Sequence, residues 1–357
     1  SEMCIRDRYR IVPIFITFMV LSAVLSMFID SITVVLFLTA ITIELSGLLK
    51  FNPVYMILPE IFCANLGGAA TMSGDPPNII IGTSLGLTFM DFLTNTGIII
   101  LIALIAMIIY FYLCFAKKLK EGSHMADSSA MPDPSSAISN RLGFLISTMI
   151  FLMVVFLLVT HAQTGITVAS IGIIAAVLTL VTSVDVKGGL LRGIDWKTIY
   201  FFVGLFIVVG GLEQTHILDL LADLISRASG GHVMVMVCVI LWFSALASAI
   251  IDNIPFAATM VPVIKALAIT QGIPVETLAW TLALGTDIGG NATPIGASAN
   301  VVGTSIASRN GHHITWGQYC RYALPATILC LVICTVMLYI LHVRCLLYTS
   351  DAADDRI

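Results

Sequence analysis

Two stretches of this chain, 222 residues apart, repeat one another, and both are polar, glycine-rich breaks in apolar sequence. NLGGAATMSGDPPN (Asn65–Asn78) recurs as DIGGNATPIGASAN (Asp287–Asn300), with identity at Gly67/Gly289, Gly68/Gly290, Ala70/Ala292, Thr71/Thr293, Gly74/Gly296 and Asn78/Asn300. The same shift, without a gap, aligns SAVLSMFID (Ser22–Asp30) with SALASAIID (Ser244–Asp252), each ending on an aspartate. Such a chain is expected to fold as two duplicated halves, each with a helix interrupted at membrane depth, the pattern of a secondary transporter.

The membrane setting follows from composition. The chain is 58% hydrophobic and 11% charged, against about 25% charged in soluble domains. Several apolar runs reach about 20 residues, enough to cross a hydrocarbon layer roughly 30 Å thick. The expected class is an all-α, multi-pass protein of the cell (inner or plasma) membrane, with the lipid bilayer as its solvent. Its basic residues stand in loops rather than in a patch, so no nucleic-acid partner is expected. None of the eight cysteines forms a CxxC pair, and they read as small buried hydrophobes. The ends, SEMCIRDR and CLLYTSDAADDRI, fit neither the helical pattern nor the repeat and read as foreign tails, residues 1–10 and 344–357.

Between the tails, Ile11–Ile29 and Val34–Leu49 read as two legs of a hairpin around Asp30–Thr33. A broken span follows: Pro53–Leu66, the break Gly67–Asn78, then Ile79–Leu87. Gly97–Ala116 is an ordinary span, and polar Lys117–Arg141 reads as a cytoplasmic linker between a first repeat (11–116) and a second (142–343). The second repeat holds spans Leu142–Thr160, Ile166–Thr182 and Trp196–Gly211 and an interfacial helix Glu213–Arg227. A hairpin follows, with legs Val233–Ile251 and Phe256–Ala268 around Asp252–Pro255. A broken span Leu278–Ala307 and the span Tyr319–His342 complete it. Five crossings separate the hairpins, so they enter from opposite faces and the repeats are expected to be inverted in topology. Lys50, Lys117, Lys118, Lys120, Arg141, Lys187, Arg192, Lys197, Arg309 and Arg321 fall on the first hairpin's side, against Arg227 and Lys265 on the other. The positive-inside bias therefore makes the first side cytoplasmic. Three spans precede the second hairpin without counterparts before the first, so the first half is expected to lack about three upstream helices.

Each break exposes the carbonyls of one half-helix and the amides of the next, which suit a cation and an anion respectively. The alternative for the glycines is close helix packing. Asp30 and Asp252 occupy equivalent hairpin tips; Asp75 and Asp287 sit in the breaks opposite non-acidic Ala297 and Asn65. A carboxylate in apolar sequence is costly and by default marks an ion or proton pathway, although tip aspartates also serve as helix caps. Glu60, opposite Leu282, reads equally as cavity-facing or not. The candidate substrate- and ion-binding set is Asp30, Ser31, Thr33, Asn65, Thr71, Asp75 and Asn78, with Asp252, Asn253, Asp287, Asn291, Thr293, Ser298 and Asn300. No catalytic residue, cofactor or resident metal is expected, beyond a coupling Na+ or H+ held transiently at these residues.

GGAATMSGDPPNIIIG (Gly67–Gly82), DIGGNATPIGASANVVG (Asp287–Gly303) and the tips FIDSIT and IIDNIP resemble the ion transporter superfamily, in its arsenite permease and P-protein branch with a citrate-transporter-like domain. The resemblance runs from about Arg10 to His342. It implies inverted repeats with re-entrant hairpins, and substrate and coupling ions held between hairpin tips and broken helices. From the dicarboxylate branch it implies elevator-type alternating access and a homodimer. That branch carries Ser-Asn-Thr tips where this chain has Asp30 and Asp252. Four acids around one site repel a di- or trianion unless cations neutralise them, so proton-linked export of a weakly charged oxyanion such as arsenite, or a cation antiport, fits these residues better than bare citrate.

The expected function is thus an ion-coupled secondary transporter rather than an enzyme, moving a small inorganic or organic anion; a Na+/H+ antiporter is the alternative. A channel would use the same breaks to line a pore. No GxxxxGK[ST] is present to couple ATP, and no HExxH supports an intramembrane hydrolase.

Overall fold

A computed structural model describes residues 11–122, 141–182, 200, 203–204, 207–211, 214–215 and 217–344. Every regular element among these residues is helical: α1 Ile11–Ser26, α2 Ser31–Leu49, α3 Val54–Gly68, α4 Pro76–Leu85, α5 Phe89–Gly122, α6 Arg141–Thr164, α7 Val168–Thr182, α8 Ile217–Ser229, α9 Val233–Ser248, α10 Asn253–Gln271, α11 Val275–Gly290, α12 Ser298–Arg309 and α13 Trp316–Leu338, which continues as a π-helical turn, Tyr339–Val343. Five stretches are long and apolar enough to cross a membrane: Ser31–Leu49, Phe89–Leu119, Arg141–His161, Asn253–Gln271 and Trp316–Val343. The chain is a polytopic, all-α integral membrane protein. Half of the span expected at Trp196–Gly211 falls outside the described residues.

The hairpins are α1–α2 and α9–α10, and the broken spans are α3–α4 and α11–α12. Both breaks are shorter than the sequence pattern suggests. The glycine pairs Gly67-Gly68 and Gly289-Gly290 stay helical, because each is needed where its helix crosses a hairpin leg. A Cβ on Gly67 would stand 2.1 Å from the Ala23 carbonyl oxygen, and one on Gly289 would stand 2.3 Å from the Ala245 Cα. Close packing, the alternative role for these glycines, is the one they fill. Helix resumes at Pro76 and Ser298. Pro76 and Pro77 occupy first-turn positions, where a missing N–H costs nothing. The long helix α5 also begins and ends beyond the expected Gly97–Ala116, running into the segment expected as linker.

The duplication is structural down to single dihedrals. The residue before α4, Asp75, has φ −137° and ψ 145°; its counterpart before α12, Ala297, has −139° and 145°. The tips agree as closely, Asp30 at −49°, 135° and Asp252 at −50°, 136°. Contacts between the repeats are exchanged in pairs: α12 packs on α2 as α4 packs on α10, and α12 on α3 as α4 on α11. This is the reciprocity a local two-fold relation produces. The breaks therefore meet at the centre of the helices, and large apolar side chains of α6 and α7, such as Phe144, Phe156, Ile173 and Val181, remain exposed, as expected of a lipid-facing surface.

Candidate functional site

Each hairpin tip ends against the break of its own repeat. Thr71 donates its hydroxyl to the Met27 carbonyl, and Thr293 does the same to the Ala249 carbonyl, at 2.5 Å in each copy. Asn78 crosses its break, donating to the carbonyls of Gly68 (3.2 Å) and Thr71 (3.1 Å). Asn300 repeats this with Gly290 and Thr293, both at 2.8 Å. These bonds occupy carbonyls that a broken helix leaves without partners. Thr71 and Thr293, expected as open ligands, thus act with their hydroxyls engaged, as ties between tip and break.

The carboxylates break the symmetry. In the first repeat the acid is in the break and the hydroxyl on the tip: Ser31 donates to Asp75 Oδ1 at 2.8 Å. In the second the places are exchanged, with Ser298 of the break donating to Asp252 Oδ2 at 3.0 Å. The tip aspartates also cap the helices that follow, Asp30 accepting from the Ile32 amide (3.2 Å) and Asp252 from the Ile254 amide (3.1 Å). Capping and site-lining are therefore combined at Asp30 and Asp252. Asp75 senses the charges of Asp287, Asp30 and Asp252, so all four acids gather in one place. No lysine or arginine occurs in the tips or breaks, residues 22–33, 65–78, 244–257 and 287–300.

The two breaks meet through three asparagines. Asn65 Nδ2 donates to Asn300 Oδ1 at 2.7 Å and to Asn291 Oδ1 at 2.9 Å. The position equivalent to Asn65 is Asp287, which is fully buried, and neither of its carboxyl oxygens accepts a hydrogen bond among the described residues. The side chain of Asn78 lies beside it, but both amide hydrogens of Asn78 are already given to carbonyls. The buried oxygens Asn65 Oδ1 and Asn78 Oδ1 and the nitrogen Asn291 Nδ2 likewise have no partner among the described residues. Buried polar atoms are rarely left bare. The unpartnered oxygens of Asp287, Asn65 and Asn78 are hard donors of the kind that suit a cation or a proton.

Of the predicted residues, Ser31, Asn65, Asp75, Asn78, Asn253, Asp287, Asn291 and Asn300 are buried, and Asp30, Asp252, Thr293 and Ser298 are half-buried beside them. Thr33 departs from the group: it gives its backbone amide to Asp30, while its side chain is exposed. Glu60, left undecided by the sequence, is fully buried on α3, where Thr42 of α2 donates to its Oε1 at 2.6 Å. Comparing Thr39 and Thr42 with their apolar counterparts Val261 and Ile264 is the signal that would have marked it.

A family model described as "Citrate transporter" matches residues 7–285. An uncharacterized transporter of Mycobacterium tuberculosis is 37% identical over 338 residues, covering 94% of this chain and 78% of the relative. The 46 kDa membrane protein of Mycobacterium leprae is 32% identical over 338 residues, covering 93% and 77%. The human P protein is 28% identical over 422 residues, covering 94% of this chain and 49% of its own.

Proposed function

The chain belongs to the citrate transporter family, and from that premise we propose that it is an ion-coupled secondary transporter whose coupling cation, Na+ or H+, is taken at Asp287. The observation that carries this reading is a fully buried carboxyl group without a donor among the described residues, beside the Asn78 side chain where two broken helices meet. An empty carboxylate there is costly. A proton or a Na+ removes the cost, so occupancy of Asp287 is tied to the packing of both breaks. The transported solute is held between tips and breaks, where Ser31, Asn253 and Ser298 offer neutral polar groups and the amides opening α4 and α12 favour an anion.

Charge selects among solutes. Four acids, with no lysine or arginine in the tips or breaks, repel a bare multivalent anion, which favours a weakly charged oxyanion such as arsenite, or an anion escorted by cations. The same crowding of acids favours a second reading, a Na+/H+ antiporter that moves no anion. The plasma membrane, an inverted relation of the two repeats and a cytoplasmic first hairpin belong to this proposal, supported by loop charge and by the exchanged contacts. The test is transport by the full chain in proteoliposomes, scanning Na+, H+, arsenite and small organic anions under imposed pH and Na+ gradients. Gradient-dependent accumulation of a solute supports the carrier; Na+ flux driven by a pH gradient alone selects the antiporter; and large single-channel currents overturn both.

A further inference from the structure

A second buried acid lies outside the tip–break site. Glu60 is in the middle of α3 and wholly enclosed. Its backbone carbonyl accepts from Ser22 of α1 at 2.7 Å, and its Oε1 accepts from Thr42 of α2 at 2.6 Å. Its Oε2 has no partner among the described residues, and neither does the buried hydroxyl of Thr39, one turn from Thr42 on the same face of α2. Neither of the Glu60 bonds reaches Asp30, Asp75, Asp252 or Asp287.

The internal repeat supplies the control. Positions equivalent to Glu60, Thr39, Thr42 and Ser46 are Leu282, Val261, Ile264 and Ala268. The same backbone is thus packed with apolar side chains in one copy and with an acid and three hydroxyls in the other. The fold does not need these polar groups, and each is costly at this depth. Thr39, Thr42 and Ser46 are all buried and run along one face of α2 toward its Lys50 end. A single hydroxyl donor, with no basic partner among the described residues, does not offset the cost of an enclosed carboxylate, which favours binding a proton there.

We propose that Glu60 is a proton-binding site distinct from the tip–break site, loaded and emptied along the hydroxyls Thr39, Thr42 and Ser46. On unloading, the O–H bond of the acid breaks, the electron pair stays on the carboxylate, and the proton passes to water at the Lys50 end; loading reverses this. The groups around it leave this titration to Glu60 alone. α1 carries no titratable side chain and α2 only the exposed Glu44. On α3 the charge of Glu60 reaches the Cys63 thiol, which in turn faces Cys330 of α13. Charged groups of the other elements packed on α3 include Lys118 of α5, Asp287 of α11, Arg309 of α12 and Arg321 of α13, none of which hydrogen-bonds Glu60 among the described residues. That this proton is one of the coupled ions rests on the carrier reading above; that Glu60 binds a proton does not.

The probe is dicyclohexylcarbodiimide, which adds to protonated carboxyl groups in apolar surroundings, used on the purified full chain with peptide mapping by mass spectrometry. The expected result is an adduct on Glu60 at acidic pH that declines about tenfold per pH unit above its midpoint, persists in Glu60→Asp and is absent from Glu60→Gln. Thr42→Val should move the midpoint while leaving labelling at low pH. Labelling that is absent at every pH, or constant from acid to alkali as for a permanently neutral packing group, overturns the proposal. The wild-type titration decides this even if a variant fails to fold, and it can succeed where the transport assay fails.

Discussion

Replacing Gly289 with alanine puts a methyl group 2.3 Å from the Ala245 Cα and 2.4 Å from its carbonyl oxygen, where carbon atoms pack at about 3.5–4.0 Å. Both obstacles are backbone, so no side chain can swing away, and α9 must move off α11 by more than about 1 Å. Overpacking of this kind costs about 1–3 kcal/mol, and the upper end applies where backbone meets backbone. Alanine returns up to about 1 kcal/mol through its better helix propensity, leaving a net loss of about 2 kcal/mol. Gly67→Ala, 2.1 Å from the Ala23 carbonyl oxygen, should lose as much. Gly47 on α2 has nothing within 4 Å of its would-be Cβ, so Gly47→Ala should gain up to about 1 kcal/mol. Denaturant or thermal unfolding of the three purified variants, followed by loss of helical signal, measures the contrast. If Gly289→Ala and Gly67→Ala unfold at or above the wild-type midpoint, as Gly47→Ala should, the hairpins do not lie against the broken helices as described.

Three further outcomes follow from the site. Asn65→Leu removes both of the bonds Asn65 makes to the second repeat and strands acceptors on Asn291 and Asn300, lowering stability by about 2–3 kcal/mol in the same unfolding assay. Thr71→Val and Thr293→Val each untie a hairpin tip from its break at about 1–2 kcal/mol, and equal losses in the two are expected because the bonds they remove are equivalent. Asp252→Asn keeps Oδ1 for the Ile254 amide and turns its other atom into a donor toward the Ser298 hydroxyl, while removing the charge, so ion-coupled flux in proteoliposomes should fall to background with the amount in the membrane unchanged.

Much of this was readable from one comparison, the chain against itself at a shift of 222 residues. That comparison located both hairpin tips and both breaks and singled out Asp75 and Asp287 as unpaired. It placed the ends of the breaks wrongly, because a Gly-Gly pair reads as a helix breaker unless the Ala23 and Ala245 backbones are known to press on it. It could not assign Thr71 and Thr293 as ties, since a hydroxyl offers the same chemistry to a ligand and to a carbonyl. Contacts such as Asn65 to Asn300, 235 residues apart, depend on how two breaks meet and leave no trace in local pattern. Glu60 stayed undecided for the opposite reason. Its unmatched partner Leu282 looks like ordinary divergence until Thr39, Thr42 and Ser46 are seen to diverge with it.

Asp287 is the centre of the functional account, and one measurement addresses it directly. Wild-type and Asp287→Asn proteins would be reconstituted in proteoliposomes, and solute accumulation followed with and without imposed Na+ and pH gradients. The account predicts that the wild type concentrates solute only with a gradient of its coupling ion. Asp287→Asn, similar in shape and without charge, should stay folded and ignore both gradients. Undiminished gradient-driven accumulation by Asp287→Asn would contradict the assignment of the coupling cation to this carboxyl group.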